Sequence, residues 1–500
     1  MTNKIKSRHA PPQASAMIEA LRGMGYNTET ALADIIDNSI SANAKNIEIF
    51  FEWDGKNSRI VVKDDGFGMN AEAIDIAMRL GGRNPLETRG ENDLGRFGLG
   101  LKTASFSQCR RLTVISSKDD SVNSLRWDLD VLRNQTDGFW HLLEGPFPEF
   151  HKLTQDLRGL GYGTIVIWDE LDRIISDQFT IDDWLALLDR VEAHLSMVFH
   201  RYLDQSNALF TIKINNRDVK AWDPFLLNHP SKPWNSPTQS FNETKIKIEC
   251  HVLPHKDHLT AKEFDLLEGP NGWVAQQGFY IYRNKRLLVA GSWLGLKSHR
   301  LGGKYWVKDE MHKFARIKLD IPNSMDQEWG IDIRKATARP PVYLRPWLAR
   351  HAEDTRKRAR RVFVSRGQVT KSASEKMEIK QAWRVEHSNS GIRYKIDLSH
   401  PIIYSVLKKA EEFRTDLNMM LKIIEETVPV QRIWLDTAEN TEIPLTSFSG
   451  ESSEAVFEVI SLAYKNMIEI KGMTSREAKF SLQCTEPFNN YPNLIAMLDD

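Results

Sequence analysis

Apolar positions along the first two hundred residues recur with two different periods, and the period separates helix from strand. In "ALADIIDNSISANA" (residues 31–44) Leu32, Ile35, Ile36 and Ile40 follow helical spacing. Asn27 or Thr28 can cap that helix and Glu29 sits in its first turn, so a helix is predicted over 28–42. Similar patterns predict helices at 13–23, 71–80, 98–107 and 182–200. Runs rich in β-branched and aromatic residues predict strands at 46–53, 58–65, 111–117, 122–130 and 163–171. Helices set apart from a mostly antiparallel sheet make an α+β sandwich, here assigned to residues 16–200. Within it "LGGRNPLETRGENDLG" (80–95) has four glycines, many charges and no period, and reads as a mobile loop.

A second block, 201–345, predicts strands at 209–219, 244–254, 278–290 and 315–322, with Asn284-Lys285 as a hairpin turn inside the third. From 346 to 500 the pattern is mainly helical, at 346–366, about 373–387, 401–427 and 453–470, with breaks around 369–376 and 447–454. Residues 1–15 are polar, basic and Pro-containing, and read as an arm. Such a chain of 500 residues is too long for one core, which agrees with two or three domains.

Composition narrows the class only a little. Lys plus Arg equals Asp plus Glu at 67 each, so no global field points to a polyanionic partner, although a local patch can. Cys109, Cys250 and Cys484 are isolated and lack metal-ligand spacing, which suits a reducing cytoplasm. The N-terminus has no apolar signal region, and no run of about eighteen apolar residues occurs. A cytoplasmic protein without a membrane partner is expected.

The chemistry begins on the 28–42 helix. Asp34 and Asn38 lie four apart and share one face, so a carboxylate and a carboxamide stand side by side on an otherwise apolar helix. In "VVKDDGFGM" (61–69) a strand delivers Asp64 into a turn made by Gly66 and Gly68. There a carboxylate can accept a hydrogen bond from an exocyclic amine, though an ordinary Asp-Gly turn has the same look. "LGRFGLGLKTAS" (94–105) runs a glycine-rich loop into a helix start, where backbone N–H groups can cradle phosphates and Lys102 can add a charge. It lacks the Gly-Lys-Ser/Thr ending of a Walker loop. "GYGTIVIWDEL" (161–171) opens a strand with Gly163-Thr164, which by itself is no more than a strand start.

Taken in order, the four stretches resemble the GHKL ATPase superfamily, whose members include DNA gyrase, MutL, heat-shock-90-type chaperones and microrchidia proteins. The likeness covers roughly residues 16–175, and "DNS", "GRFGLGLK" and "GTIVIW" are most similar to the microrchidia branch and its bacterial relatives. The block at 201–345 resembles the transducer domain that follows the ATPase domain in several members. The resemblance implies ATP and Mg²⁺ as cofactors. It gives Asn38 the magnesium, Asp64 the adenine amine and Met69 the pocket wall. Gly95, Gly98, Leu99 and Gly100 fall in the loop over the phosphates, Thr164 at the adenine end, and 80–97 becomes a lid.

Where the family has Glu as general base this chain has Asp34, shorter by one methylene or about 1.5 Å, so slow hydrolysis is expected. Asp37 is a weaker choice of base, pointing away from the Asp34–Asn38 line. A transducer lysine usually meets the γ-phosphate, and Lys335 in "GIDIRKATARPP" fits, with Arg334 and Arg339 as rivals. The resemblance also implies an ATP-dependent homodimer that clamps DNA, in genome maintenance or anti-phage defence. A chaperone-like ATPase acting on a protein partner is the alternative. The cation-rich helix at 346–366 is a possible phosphate-backbone contact or simply a solvated face. No metalloprotease, Ser-His-Asp or nuclease pattern stands out.

Overall fold

The structure is a computed structural model. It describes residues 12–499, apart from 24, 83–98, 120, 136–138, 205–207, 228, 230–233, 243, 256–257, 298–302, 333–334, 336, 366–379, 389–390, 431–432 and 434–452. Residues 1–11 of the expected arm, nearly all of the expected lid with Gly95 and Gly98, Arg334, and the expected break at 369–376 therefore lie outside the described residues, as does most of the break at 447–454. The chain divides into two compact units, Met1–Gly367 and Gln368–Asp500.

The first unit holds two sheets. The larger has eight strands in the order β5-β4-β3-β6-β2-β1-β7-β8. They are β1 (Asn46–Glu52), β2 (Arg59–Asp64), β3 (Arg111–Lys118), β4 (Ser121–Asp128), β5 (Leu143–Glu144), β6 (Gly163–Asp169), β7 (Thr211–Ile214) and β8 (Arg217–Asp218). All pairs are antiparallel except β1 with β7. Ile60, Val62, Val166 and Trp168 pack into the core under the helices Ala14–Arg22, Thr28–Ser41, Gly100–Phe106 and Ile181–Val198. Their neighbours Val61, Ile165 and Ile167 alternate to the opposite face, beneath the helix His151–Leu160. Burial on both faces explains why these strands read as unbroken apolar runs. The helix His151–Leu160 escapes the sequence pattern because it turns a polar face to water and buries chiefly Leu157.

The segment 209–219, expected with the second block, instead completes the first sheet. Ile212, Ile214 and Val219 close the edge of its core, and Asn46 pairs with Thr211. The second sheet runs β10-β11-β14-β12-β13, with β9 paired to β11. Its strands are β9 (Trp234–Asn235), β10 (Gln239–Ser240), β11 (Lys247–Val252), β12 (Gly278–Arg283), β13 (Arg286–Ser292) and β14 (Ala315–Ile321). The helix Arg345–Ser365 packs on this sheet through Leu348, Ala349, Ala352 and Ala359, so the compact boundary falls after 367 instead of at 345.

The second unit is mainly helical, with Pro401–Lys409, Arg414–Glu426, Ser453–Lys471 and Ser475–Gln483. One expectation fails there. The helix expected over about 373–387 is absent from its described part, where Trp383–Ser388 forms a strand paired with Gly391–Ile396. Both pieces alternate in polarity, and mutual pairing satisfies their backbones where a lone amphipathic helix would need a packed face. The helix expected over 401–427 is broken by a turn at Glu411–Phe413.

The β12–β13 turn places Asn284 at φ +47° and Lys285 at φ +69°, the left-handed pair a tight hairpin requires. Lysine is strained there, so Lys285→Gly should stabilise the protein by roughly 0.5–1 kcal/mol. Chemical denaturation of the variant beside the parent checks this, and an unchanged or lowered midpoint refutes it.

Candidate active site

The apolar helix Thr28–Ser41 is capped by Asn27, whose side chain accepts from the Thr30 N–H. It buries nearly every residue, including Asp34 at 3 % and Asp37 at 1 % exposure. Asn38 is exposed on the same helix. Two buried carboxylates one turn apart demand compensation, and it comes from the second-sheet region some 250 to 300 residues later. The Arg286 Nε lies 3.0 and 2.9 Å from the two Asp37 oxygens, and Nη2 lies 3.7 Å from Asp34 Oδ1. Lys335 Nζ donates to Asp34 Oδ1 at 3.0 Å and also to Asp37 Oδ2. Burial alone would raise the Asp37 carboxyl, but the charges of Arg286 and then Lys335 outweigh it and hold it below the ordinary carboxylate range.

Asp34 has a third partner. The Tyr26 hydroxyl donates to Asp34 Oδ2 at 2.8 Å. Burial, then the charge of Asp34 and this hydrogen bond, push the Tyr26 phenol far above its ordinary value, so it remains a neutral donor. Lys335 sits at φ +52°, a strained position for a side chain of its kind. Its two carboxylate partners offset that strain. The rival Arg339 is exposed.

The other gathering point is the β2–β6 end of the sheet. Asp64 faces Thr164 in the register. It accepts from the Gly66 N–H at 2.9 Å and the Ser39 hydroxyl at 2.8 Å. Burial raises its carboxyl despite these hydrogen bonds, leaving a carboxylate poised beside the turn. Thr164 Oγ1 shares a hydrogen bond of 2.9 Å with Ser116, whose oxygen also accepts from the Met69 N–H at 2.8 Å. Gly68 (φ +65°) and Gly163 (φ +110°) approach so closely that a Cβ on the first would stand 1.8 Å from the Ser117 carbonyl oxygen and on the second 2.5 Å from that of Asp64. Asp64, Gly66, Gly68, Met69 and Thr164 are thus one cluster. Leu99 and Gly100 open the helix Gly100–Phe106, near Asp34. Lys102 is different. It is buried, and its amine donates to the Ala77 carbonyl at 2.8 Å, tying down the helix Ala71–Met78.

Arg286, Tyr26, Ser39 and Ser116 were missed by sequence reasoning. Ser39 adjoins Asn38 in the quoted "DNS" and had a local signal. Ser116 reaches the cluster only through its strand register with Thr164, and Arg286 only through a long-range ion pair, so neither had one.

The fold is the mixed α/β sandwich of a GHKL-type ATPase domain. Residues 26–164 match the model of the histidine kinase-, DNA gyrase B-, and HSP90-like ATPase family. The chain is 29% identical over 96 residues (19% of its length, 11% of the other) to "ATPase morc-1" of Caenorhabditis elegans. It is 32% identical over 102 residues (20% and 17%) to "DNA mismatch repair protein MutL" of Buchnera aphidicola subsp. Schizaphis graminum. It is 29% identical over 113 residues (21% and 17%) to "Chaperone protein HtpG" of Shouchella clausii. The chain thus spans less than a fifth of the length of these curated relatives. Among the described residues no helix is long and apolar enough to cross a membrane.

Removing one partner from a buried ion-pair cluster leaves a charge uncompensated, and Arg286→Ala should cost about 3–5 kcal/mol. Asp37 is ionised in the pair and its carboxyl is depressed, so that contribution is present at neutral pH. It fades as pH falls through the depressed value, below the ordinary ~3.9 of aspartate. Urea titrations at neutral pH and at a series of acidic pH values that extends well below the ordinary aspartate value measure both parts. An equal loss at all of these values would contradict the ion-pair account.

Proposed function

We infer that the chain binds Mg·ATP between the Thr28–Ser41 helix and the Asp64–Thr164 cluster, hydrolyses it slowly, and converts nucleotide state into domain arrangement. The observation that carries this reading is Lys335, which follows the last strand of the second sheet and whose amine lies on Asp34. Asp34 can accept a proton from water only after its charge is released. A γ-phosphate competes for the Lys335 amine, and transfer of that amine leaves Asp34 free to act as general base while Tyr26 holds its other oxygen. The attacking water then forms the new P–O bond, the β,γ-bridging bond breaks, and ADP and phosphate result. Asp64 and Thr164 take the adenine end, with Met69 as wall, and Gly95, Gly98, Leu99 and Gly100 the phosphates.

Among the described residues no cluster of three or more His, Cys, Asp or Glu suits a metal ion. The exposed carboxamide of Asn38, an oxygen donor of the kind magnesium takes, would hold the ion, which would neutralise phosphate charge.

Further out, the reading is a nucleotide-dependent dimer with residues 1–15 as an exchanged arm, closing as a clamp on DNA. Arg350, Lys357, Arg360 and Arg361 are exposed along the helix Arg345–Ser365 and support a phosphate-backbone contact, as does the likeness to a DNA mismatch repair protein. The likeness to a chaperone protein supports a protein client instead. Salt-sensitive stimulation of turnover by duplex DNA separates the two.

Loss of a positioned base costs about 10²–10⁴ in rate, so Asp34→Ala should lower kcat by that factor while ATP affinity stays near wild type. Asn38→Ala should lose Mg·ATP binding itself. Phosphate release and calorimetric titration decide it. Wild-type turnover in Asp34→Ala removes the base assignment, and a wild-type chain that binds no ATP removes the whole reading.

A further inference from the structure

Tyr26 also lines a cavity of about 590 Å³ that Asp34 does not line. It is bounded by the start of the Thr28–Ser41 helix, the end of the Ala14–Arg22 helix and the 173–190 stretch. Its volume falls in the ordinary range for a small-molecule pocket, about 300–1,000 Å³. Three arginines line it, against one carboxylate, Glu29. Arg190 is held by Glu29 at 3.0 Å, whereas Arg173 is exposed and makes no ion pair among the described residues. Arg22 is buried: its Nη2 is taken by Asp172 at 2.5 and 2.7 Å, Nη1 has only Glu19 at 3.9 Å, and Nε and Nη1 have no hydrogen-bond partner among the described residues. Phe179, Leu187 and Ile174 supply an apolar wall.

Guanidinium forks bind carboxylates and phosphates in the same planar geometry. A cationic rim over an apolar wall therefore selects an anion on a flat apolar body. We propose that this cavity is a binding site for a small aromatic carboxylate or phosphate monoester, distinct from the nucleotide site. Two links connect it to the chemistry. Tyr26 lines the cavity and donates to Asp34, and Gln108 lines it and donates to the Tyr26 carbonyl at 3.4 Å while accepting from Thr28 at 2.7 Å. A ligand that shifts Tyr26 changes the hydrogen bonding of the base, so occupancy tunes turnover. This second step rests on the general-base reading of Asp34, whereas the binding site does not.

The experiment titrates the full chain, with its nucleotide site saturated by a non-hydrolysable ATP analogue, with 2-naphthoate and separately with 1-naphthyl phosphate. The neutral 2-naphthamide serves as control. One saturable site per chain is expected for at least one anion, with at least tenfold weaker binding of the amide. Arg173→Ala and, independently, the cavity-filling Leu187→Trp should each weaken the anion at least tenfold. A preference between the two probes tells a carboxylate source from a phosphate source. Absence of saturable binding to wild type, or equal binding by wild type and both variants, overturns the site.

Steady-state turnover with and without the bound probe tests the link. A change of threefold or more that disappears in Tyr26→Phe, while that variant still binds, is expected; binding with unchanged wild-type turnover overturns the coupling. A chain that binds the probe but never turns over ATP refutes the proposed function and keeps the cavity. A chain that turns over ATP but ignores the probe does the reverse.

Discussion

The buried ion cluster of Asp34, Asp37, Arg286 and Lys335 is the constraint on which the rest of the first unit depends. Four ionisable groups lie almost wholly out of water, an arrangement tolerated only when each charge finds a partner at hydrogen-bonding distance. The helix that carries the acids belongs to the first core, and the cations are Arg286 of β13 and Lys335, four residues after Ile331 of the second core. Neither sheet region can therefore move relative to the other without exposing or stranding charge. The coupling is electrostatic and discrete, which suits a switch with two arrangements better than a graded deformation.

The backbone is committed to the same point. Lys335 accepts a left-handed conformation to deliver its amine, and its partners hold it there. The β12–β13 hairpin does likewise with its turn, and its last strand begins at Arg286. Interactions at the other end of the sandwich follow a different logic. Around Asp64 the cluster is held by close backbone approach at Gly68 and Gly163 and by hydroxyls from the Thr28–Ser41 helix and neighbouring strands. One end of the site is thus held by charge pairs, the other by close packing.

Tyr26 connects this site to the cavity it lines. Its hydroxyl meets Asp34 while the cavity lies against it, so it is the shortest path between the two. Gln108 closes a second, backbone-mediated path through the Tyr26 carbonyl.

Sequence by itself determined the α+β sandwich, most of its helix and strand limits, and the local stretches bearing Asp34, Asn38, Asp64 and Gly68. These rest on period and turn chemistry, which act over a few residues. Legibility declined where packing decided. Thr211–Ile214 joined the first sheet because that core needed closing, and Trp383–Ser388 became a strand because Gly391–Ile396 was there to pair with it. Lys102, set in a phosphate-type loop by its sequence, turned inward to the Ala77 carbonyl. Arg286 had no local mark at all, since its role depends on a partner 249 positions away. Tertiary structure alone decided which cations meet the buried acids, because desolvation and Coulomb attraction act through space and leave no period in the chain.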